Sequence, residues 1–153
     1  MDALVELQES SDYLKERGIE EVDVAIVLGT GLGGLVESID VKYSWSYSQI
    51  PHLPVATVEQ HFGKLIYGLL EGKKVLAWQG RFHFYEGYSM EQVVKPVRIS
   101  RMLGAKALLI SNASGLHSSV KTLTAAQGIP MCTAAITSGT VDITTASAPI
   151  VFK

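Results

Sequence analysis

Leu4, Leu7 and Leu14, with Val5 between them, form a rough helical stripe, and Gly18 is placed to stop that helix. The stretch VDVAIVLG at 22–29 is β-branched and almost continuously apolar, which predicts a strand buried on both faces. GTGLGGLVESI at 29–39 then reads as a tight turn entering a helix. From Tyr43 to Val58 the pattern is interrupted by Pro51 and Pro54, so this part is expected to be irregular or edge-like. KLIYGLLEGKKVLAWQG at 64–80 predicts a hairpin turning at Glu71-Gly72. SMEQVVKPVRISRML at 89–103 carries Met90, Val93, Val94, Val97 and Met102 at helical spacing behind Ser89, although Pro96 removes a backbone donor and should kink the helix. AKALLISNASG at 105–115 is again an apolar strand ending in small residues. Strand, glycine turn, helix, strands, helix, strand predicts an α/β fold: a mixed, largely buried central β-sheet flanked by helices.

Beyond Leu116 the composition changes. The segment is rich in Ser, Thr and Ala, with Asp142 as its one acid. It has no helix signature, and its Thr and Ile content permits short strands. Three origins stay open for it: an atypical β extension, a poorly ordered tail, or a reading frame that departs from its ancestral sequence near residue 116. The chain is therefore read as an α/β domain over 1–115 and an atypical Ser/Thr/Ala-rich tail over 116–153.

The whole chain has 153 residues, enough for one domain with a real core, and a formal net charge of -2. That balance gives no reason to expect nucleic acid, so any anion site must be local. No apolar run is long enough to span a bilayer, and the first residues lack the basic start and apolar core of a signal peptide. Cys132 is the single cysteine, which excludes an internal disulfide and points to a cytoplasmic setting.

Four stretches could carry chemistry. Gly29, Gly31 and Gly34 form a G-x-G-x-x-G pattern directly after a strand, where backbone N–H groups and the Thr30 hydroxyl could meet an anion. As a dinucleotide site the match is poor, because Ser48, Gln49 and Ile50 stand where a ribose-binding acid belongs; a bare tight turn explains the glycines equally well. VEQHFG places His61 ahead of a glycine, either as an ordinary histidine or as an anion ligand if a second cation converges on it.

QGRFHFYEGY at 79–88 supplies that cation in Arg81, whose planar fork can hold two oxyanion atoms at once. On an extended segment Arg81, His83 and Tyr85 would share one face, with Phe82 and Phe84 anchored in the core on the other. The alternative is an aromatic-rich strand whose Arg81 pairs with Glu86. ISNASG at 110–115 ends a strand in small residues that could bring the amides near Ala113 against a ligand, or could simply turn. His61, His83 and the carboxylates have no recognisable metal-ligand spacing, so no metal is expected.

Taken in order over residues 24–115, VLGTGLGGL, VEQHFGKL, QGRFHFYEGY and ISNASG resemble the trimeric, inosine/guanosine-type purine nucleoside phosphorylase family, in its N-terminal half. The ten-residue loop QGRFHFYEGY is the most specific of the four, since related methylthioadenosine phosphorylases depart from its R-x-H-x-Y-E-G-Y form. The resemblance implies a nucleoside phosphorylase-like fold and phosphorolysis of a purine ribonucleoside to free base and ribose 1-phosphate. Thr30, which stands where many members have Ser, would bind phosphate through its hydroxyl and amide; His61, Arg81, His83 and the Ala113 backbone would complete that site. Tyr85 would pack against the sugar, Glu86 would orient water or His83, and Asn112 would support.

His83 and Glu86 are thereby the expected catalytic pair. The implied partners are a purine nucleoside and inorganic phosphate as co-substrate, with no cofactor, no nucleic acid and no membrane, in a homotrimer. Residues that recognise the base lie in the C-terminal half of family members, and the likeness stops near Gly115, where a G-G-x-N continuation is replaced by Leu116, His117 and Ser118. Two other readings follow from the residues: a non-catalytic phosphate- or nucleotide-binding module, and an assembly partner whose tail adds strands to another chain.

Overall fold

The computed structural model describes residues 2–28, 33–54, 63–112, 131–137 and 140–145. Its elements, in chain order, are α1 (Ala3–Glu16), β1 (Val24–Leu28), α2 (Gly33–Glu37), β2 (Asp40–Ser46), β3 (Lys64–Leu70), β4 (Lys73–Gln79), α3 (Met90–Met102), β5 (Ala107–Asn112), β6 (Met131–Thr137) and β7 (Thr140–Thr145). Short 3-10 turns occupy Tyr47–Gln49 and Phe84–Glu86.

The strands form one seven-stranded mixed sheet in the order β2-β3-β4-β1-β5-β6-β7. β1 lies parallel to both β4 and β5, and β5 parallel to β6, while the remaining neighbours are antiparallel. β1 has no polar position to spare because both of its faces are covered. Ala25 and Val27 join Leu65, Tyr67, Leu76, Trp78, Leu108 and Ile110 beneath Leu7 and Leu14 of α1 and Val97 and Ile99 of α3. Ile26 and Leu28 point the other way, with Ile66, Val75 and Ala77, toward Leu35 and Val36 of α2.

Local chemistry sets the boundaries. Asp2 caps α1 by accepting from the Leu4 N–H, and Gly18 leaves the helix at φ +113°, which L side chains rarely adopt. The β3–β4 hairpin turns on Glu71 and Gly72, both at positive φ (50° and 75°), the two-residue turn whose twist suits paired strands. The region with two prolines is edge-like where it is described: β2 precedes the prolines as an edge strand, with a register shift between Val41 and Tyr43. α3 continues through Pro96. The Ser100 hydroxyl donates to the Pro96 carbonyl at 2.7 Å and accepts from the buried Trp78 indole at 2.9 Å, so the interior of this helix is tied to β4. Past residue 116, β6 and β7 carry the sheet outward from β5.

The N-terminal ends of the parallel strands are knotted by charge. Asp23 accepts the Lys74 N–H at 2.9 Å and the Lys106 ammonium at 3.2 Å, and its own carbonyl accepts from the N–H groups of Lys106 and Ala107. Glu21 joins by accepting from Lys74 and Lys106 at 3.2 and 2.9 Å. The Lys74 N–H, followed by Lys106, holds the Asp23 carboxyl below its ordinary value.

A depressed carboxylate stabilises the fold above its unfolded value, about pH 4, and loses that contribution as pH falls through the lower folded value. Asp23→Asn should therefore cost ~1 kcal/mol at neutral pH. Urea midpoints of variant and wild type should converge as pH falls through the lowered folded-state value; a gap independent of pH would show that the carboxylate charge is not what matters.

Candidate functional site

Because β1, β4 and β5 are parallel and in register, Leu28 lies beside Gln79 and Val27 beside Ile110. The connections that follow these strands, beginning at residues 29, 80 and 113, therefore leave the same edge of the sheet. Lys64, the first residue of β3, also pairs with Gln79, so the chain arriving from residues 55–62 enters at that edge too. All four motifs singled out in the sequence attach there, at the carboxyl ends of parallel strands where α/β sheets bind ligands. Thr30, His61 and Ala113 lie outside the described residues, and Asn112 is described only as the last residue of β5.

Arg81 is the central feature. It follows Gly80, whose φ of +112° turns the chain out of β4, and it lies half-buried under the loop. Its Nε and Nη2 atoms are buried and have no hydrogen-bond partner among the described residues. Burial pulls the guanidinium below its ordinary value, yet an arginine remains charged at any working pH. A buried, charged fork with orphaned donors is costly unless an anion satisfies it.

The loop beyond Arg81 departs from the expected alternation. Phe82 is buried between Tyr47 and Tyr88, with ring centroids 5.3 Å from each. Phe84 is not its counterpart in the core: it is 66% exposed, and Tyr85 is 81% exposed. The reason is local. His83 acts as the N-cap of a 3-10 turn over Phe84–Glu86, which swings the following side chains outward until Gly87 ends the turn at φ +94°.

Glu86 closes that turn on His83. One carboxylate oxygen accepts the His83 N–H at 3.1 Å and lies 3.0 Å from Nδ1 of the same residue. The Tyr85 ring stacks on the imidazole, centroids 4.7 Å apart. Glu86 is thus engaged with His83, and no ion pair joins it to Arg81 among the described residues. The spacing His83-x-x-Glu86-Gly87 was the readable signal of this turn, a capping pattern followed by a left-handed glycine.

Tyr47 is the functional candidate that sequence reasoning missed. Its hydroxyl donates to the Gly80 carbonyl at 2.7 Å, and its ring packs against Trp78 and Phe82. Nothing in the local sequence YSWSYS marks it, because its partners come from distant turns. Among the described residues no group of His, Cys, Asp or Glu side chains is arranged to hold a metal ion, and no helix is long and apolar enough to cross a membrane.

The mixed α/β fold is shared with solved purine nucleoside phosphorylases. Isoform 2 of the Schistosoma mansoni enzyme, solved with cytosine and ribose-1-phosphate, superposes with a TM-score of 0.67 at 39% identity, over 72% of this chain and 39% of that one. Purine nucleoside phosphorylase 1 of Bacillus subtilis is 46% identical over 109 residues, covering 71% of this chain and 40% of the relative. The Bos taurus enzyme is 41% identical over 108 residues, 71% and 37% respectively. No family model matches. The matched stretch is similar to purine nucleoside phosphorylases, as a partial match to their N-terminal region. The chain spans about 40% of the length of the Bacillus subtilis relative.

Proposed function

We propose that this chain carries the phosphate half of a purine nucleoside phosphorylase site of the trimeric, inosine/guanosine type. The observation that supports this most directly is the buried Arg81 fork with two orphaned nitrogens. An inorganic phosphate dianion would satisfy both, and no cofactor or metal enters the scheme. His83, kept in orientation by Glu86, would donate a further hydrogen bond, and Tyr85 would pack against the ribose. Thr30, His61 and the Ala113 amide are the expected remaining phosphate ligands.

The chemistry follows from where charge develops. Phosphorolysis breaks the bond between C1' of the ribose and the purine nitrogen, leaving positive character on the sugar while a phosphate oxygen forms the new bond to C1'. The electron pair of the broken bond departs with the base, which takes up a proton, and the products are free purine and ribose 1-phosphate. A fixed guanidinium places the nucleophile before the bond breaks, so its entropy of approach is already spent, and the dianion itself stabilises the cationic sugar.

The homotrimer and the cytoplasmic setting belong to the same proposal. The direct test is release of hypoxanthine from inosine by the purified chain, with Arg81→Ala as control. Release that requires phosphate and is lost in the variant would establish a working phosphorylase site. Phosphate binding without release would instead identify a non-catalytic binding module, and release independent of phosphate would overturn the reading.

A further inference from the structure

The turn that delivers Arg81 has a single anchor reaching two separate pieces of backbone. Tyr47 lies 33 residues before Gly80, and its hydroxyl holds the Gly80 carbonyl at 2.7 Å. Its own N–H donates to the Gly63 carbonyl at 3.0 Å. Its ring fills the space a side chain at 63 would need, since a Cβ there would fall 2.1 Å from the ring's Cδ2 and Cε2 atoms. Gly80 in turn sits so close to Gly63 that a Cβ on it would lie 3.2 Å from the Gly63 Cα. The ring itself cannot drift, being buried against Trp78 at 5.7 Å and Phe82 at 5.3 Å.

We propose that Tyr47 is a positioning residue for the oxyanion site: by clamping the Gly80 carbonyl and the Gly63 backbone together, it sets the exit of β4 and hence the aim of Arg81. The inference rests on the phosphate reading above for its ligand, and on the geometry alone for the clamp. Gly80 at φ +112° is one bond away from Arg81, so rotation of its peptide would swing the guanidinium. Among the described residues, the phenol to carbonyl hydrogen bond is the tie that reaches that peptide from outside the hairpin. Burial raises the Tyr47 phenol far above its ordinary value, so the hydroxyl stays a donor throughout the pH range in which the protein folds.

The test is Tyr47→Phe, which keeps the ring and removes the clamp. Its control is Tyr67→Phe, which removes an equivalent 2.7 Å bond from a phenol to a backbone carbonyl, that of Glu21, at the opposite end of the sheet. Inorganic phosphate is titrated calorimetrically into wild type, both variants and Arg81→Met, and amide exchange is followed at Gly80, Arg81 and Phe82. Tyr47→Phe should weaken phosphate binding about tenfold or more and speed exchange at these amides, whereas Tyr67→Phe should do neither despite a similar loss of thermal stability.

Equal affinities and equal exchange in the two tyrosine variants would overturn the inference. If wild type itself shows no Arg81-dependent phosphate binding, the phosphate reading falls. The exchange comparison then decides the clamp by itself: faster exchange confined to Tyr47→Phe upholds it, and unchanged exchange refutes it.

Discussion

Arg81→Met should make the protein more stable and unable to bind phosphate. In phosphate-free buffer the wild type keeps a charged fork in a half-buried position with Nε and Nη2 unpartnered among the described residues. Methionine fills similar space with no polar demand, so the variant should gain ~1–3 kcal/mol and melt several degrees higher. Added phosphate should reverse the order: it raises the wild-type melting point by mass action and leaves the variant unmoved. Loss of two charge-assisted hydrogen bonds corresponds to a fall in affinity on the order of a hundredfold or more. Arg81→Lys separates charge from shape, because an ammonium keeps the charge without the planar fork, and it should recover only part of the binding. A methionine variant that melts lower than wild type without phosphate would mean that Arg81 is a structural residue with a partner of its own.

Gly63→Ala should be among the most damaging single-methyl additions in the chain. The new Cβ would lie 2.1 Å from the Tyr47 ring, a separation real atoms do not tolerate. The ring has no escape, since Trp78 and Phe82 flank it and its hydroxyl is bound to Gly80. Either the ring shifts and that bond breaks, or β3 moves away from β4. Overpacking with loss of the bond should cost ~3 kcal/mol. Gly34→Ala is the informative comparison: it sits in α2 with open space around the position, and should be neutral or stabilising by ~0.5–1 kcal/mol. Urea midpoints for both variants check this, and similar values would show that the Tyr47 ring is free to move.

The parts of this fold that the sequence made legible are those where one short stretch contains its own explanation. Leu7 and Leu14 are buried on α1 and Gly18 ends it; VAIVL is a strand; Glu71-Gly72 is the hairpin turn. Arg81 stood out because an arginine among aromatic side chains is costly unless used, and its Nε and Nη2 are indeed buried without a partner among the described residues. What escaped depends on residues brought together from afar or on competition within one turn. Phe84 looked like a core anchor by alternation, but the capping of Phe84–Glu86 by His83 outweighed the strand pattern. Tyr47 has its meaning only beside Gly63 and Gly80. Lys95 reads as an ordinary helix-surface lysine, yet it is buried in α3, donating to Glu6 at 2.6 Å and to the His52 carbonyl at 2.7 Å, 89 and 43 residues distant. No local pattern encodes such a meeting.

The charged knot around Asp23 has a bearing on how the molecule breathes. It fastens β1, β4 and β5 at their amino ends with both side-chain and backbone bonds, while at the other end β4 hands over to Gly80 at φ +112° and to an arginine whose Nε and Nη2 have no partner among the described residues. Local opening in such a sheet is expected to be lopsided, starting at the arginine rim and reaching the far rim last. Movement at the arginine end then leaves the register of the sheet intact, because the knot keeps the strands aligned at the other.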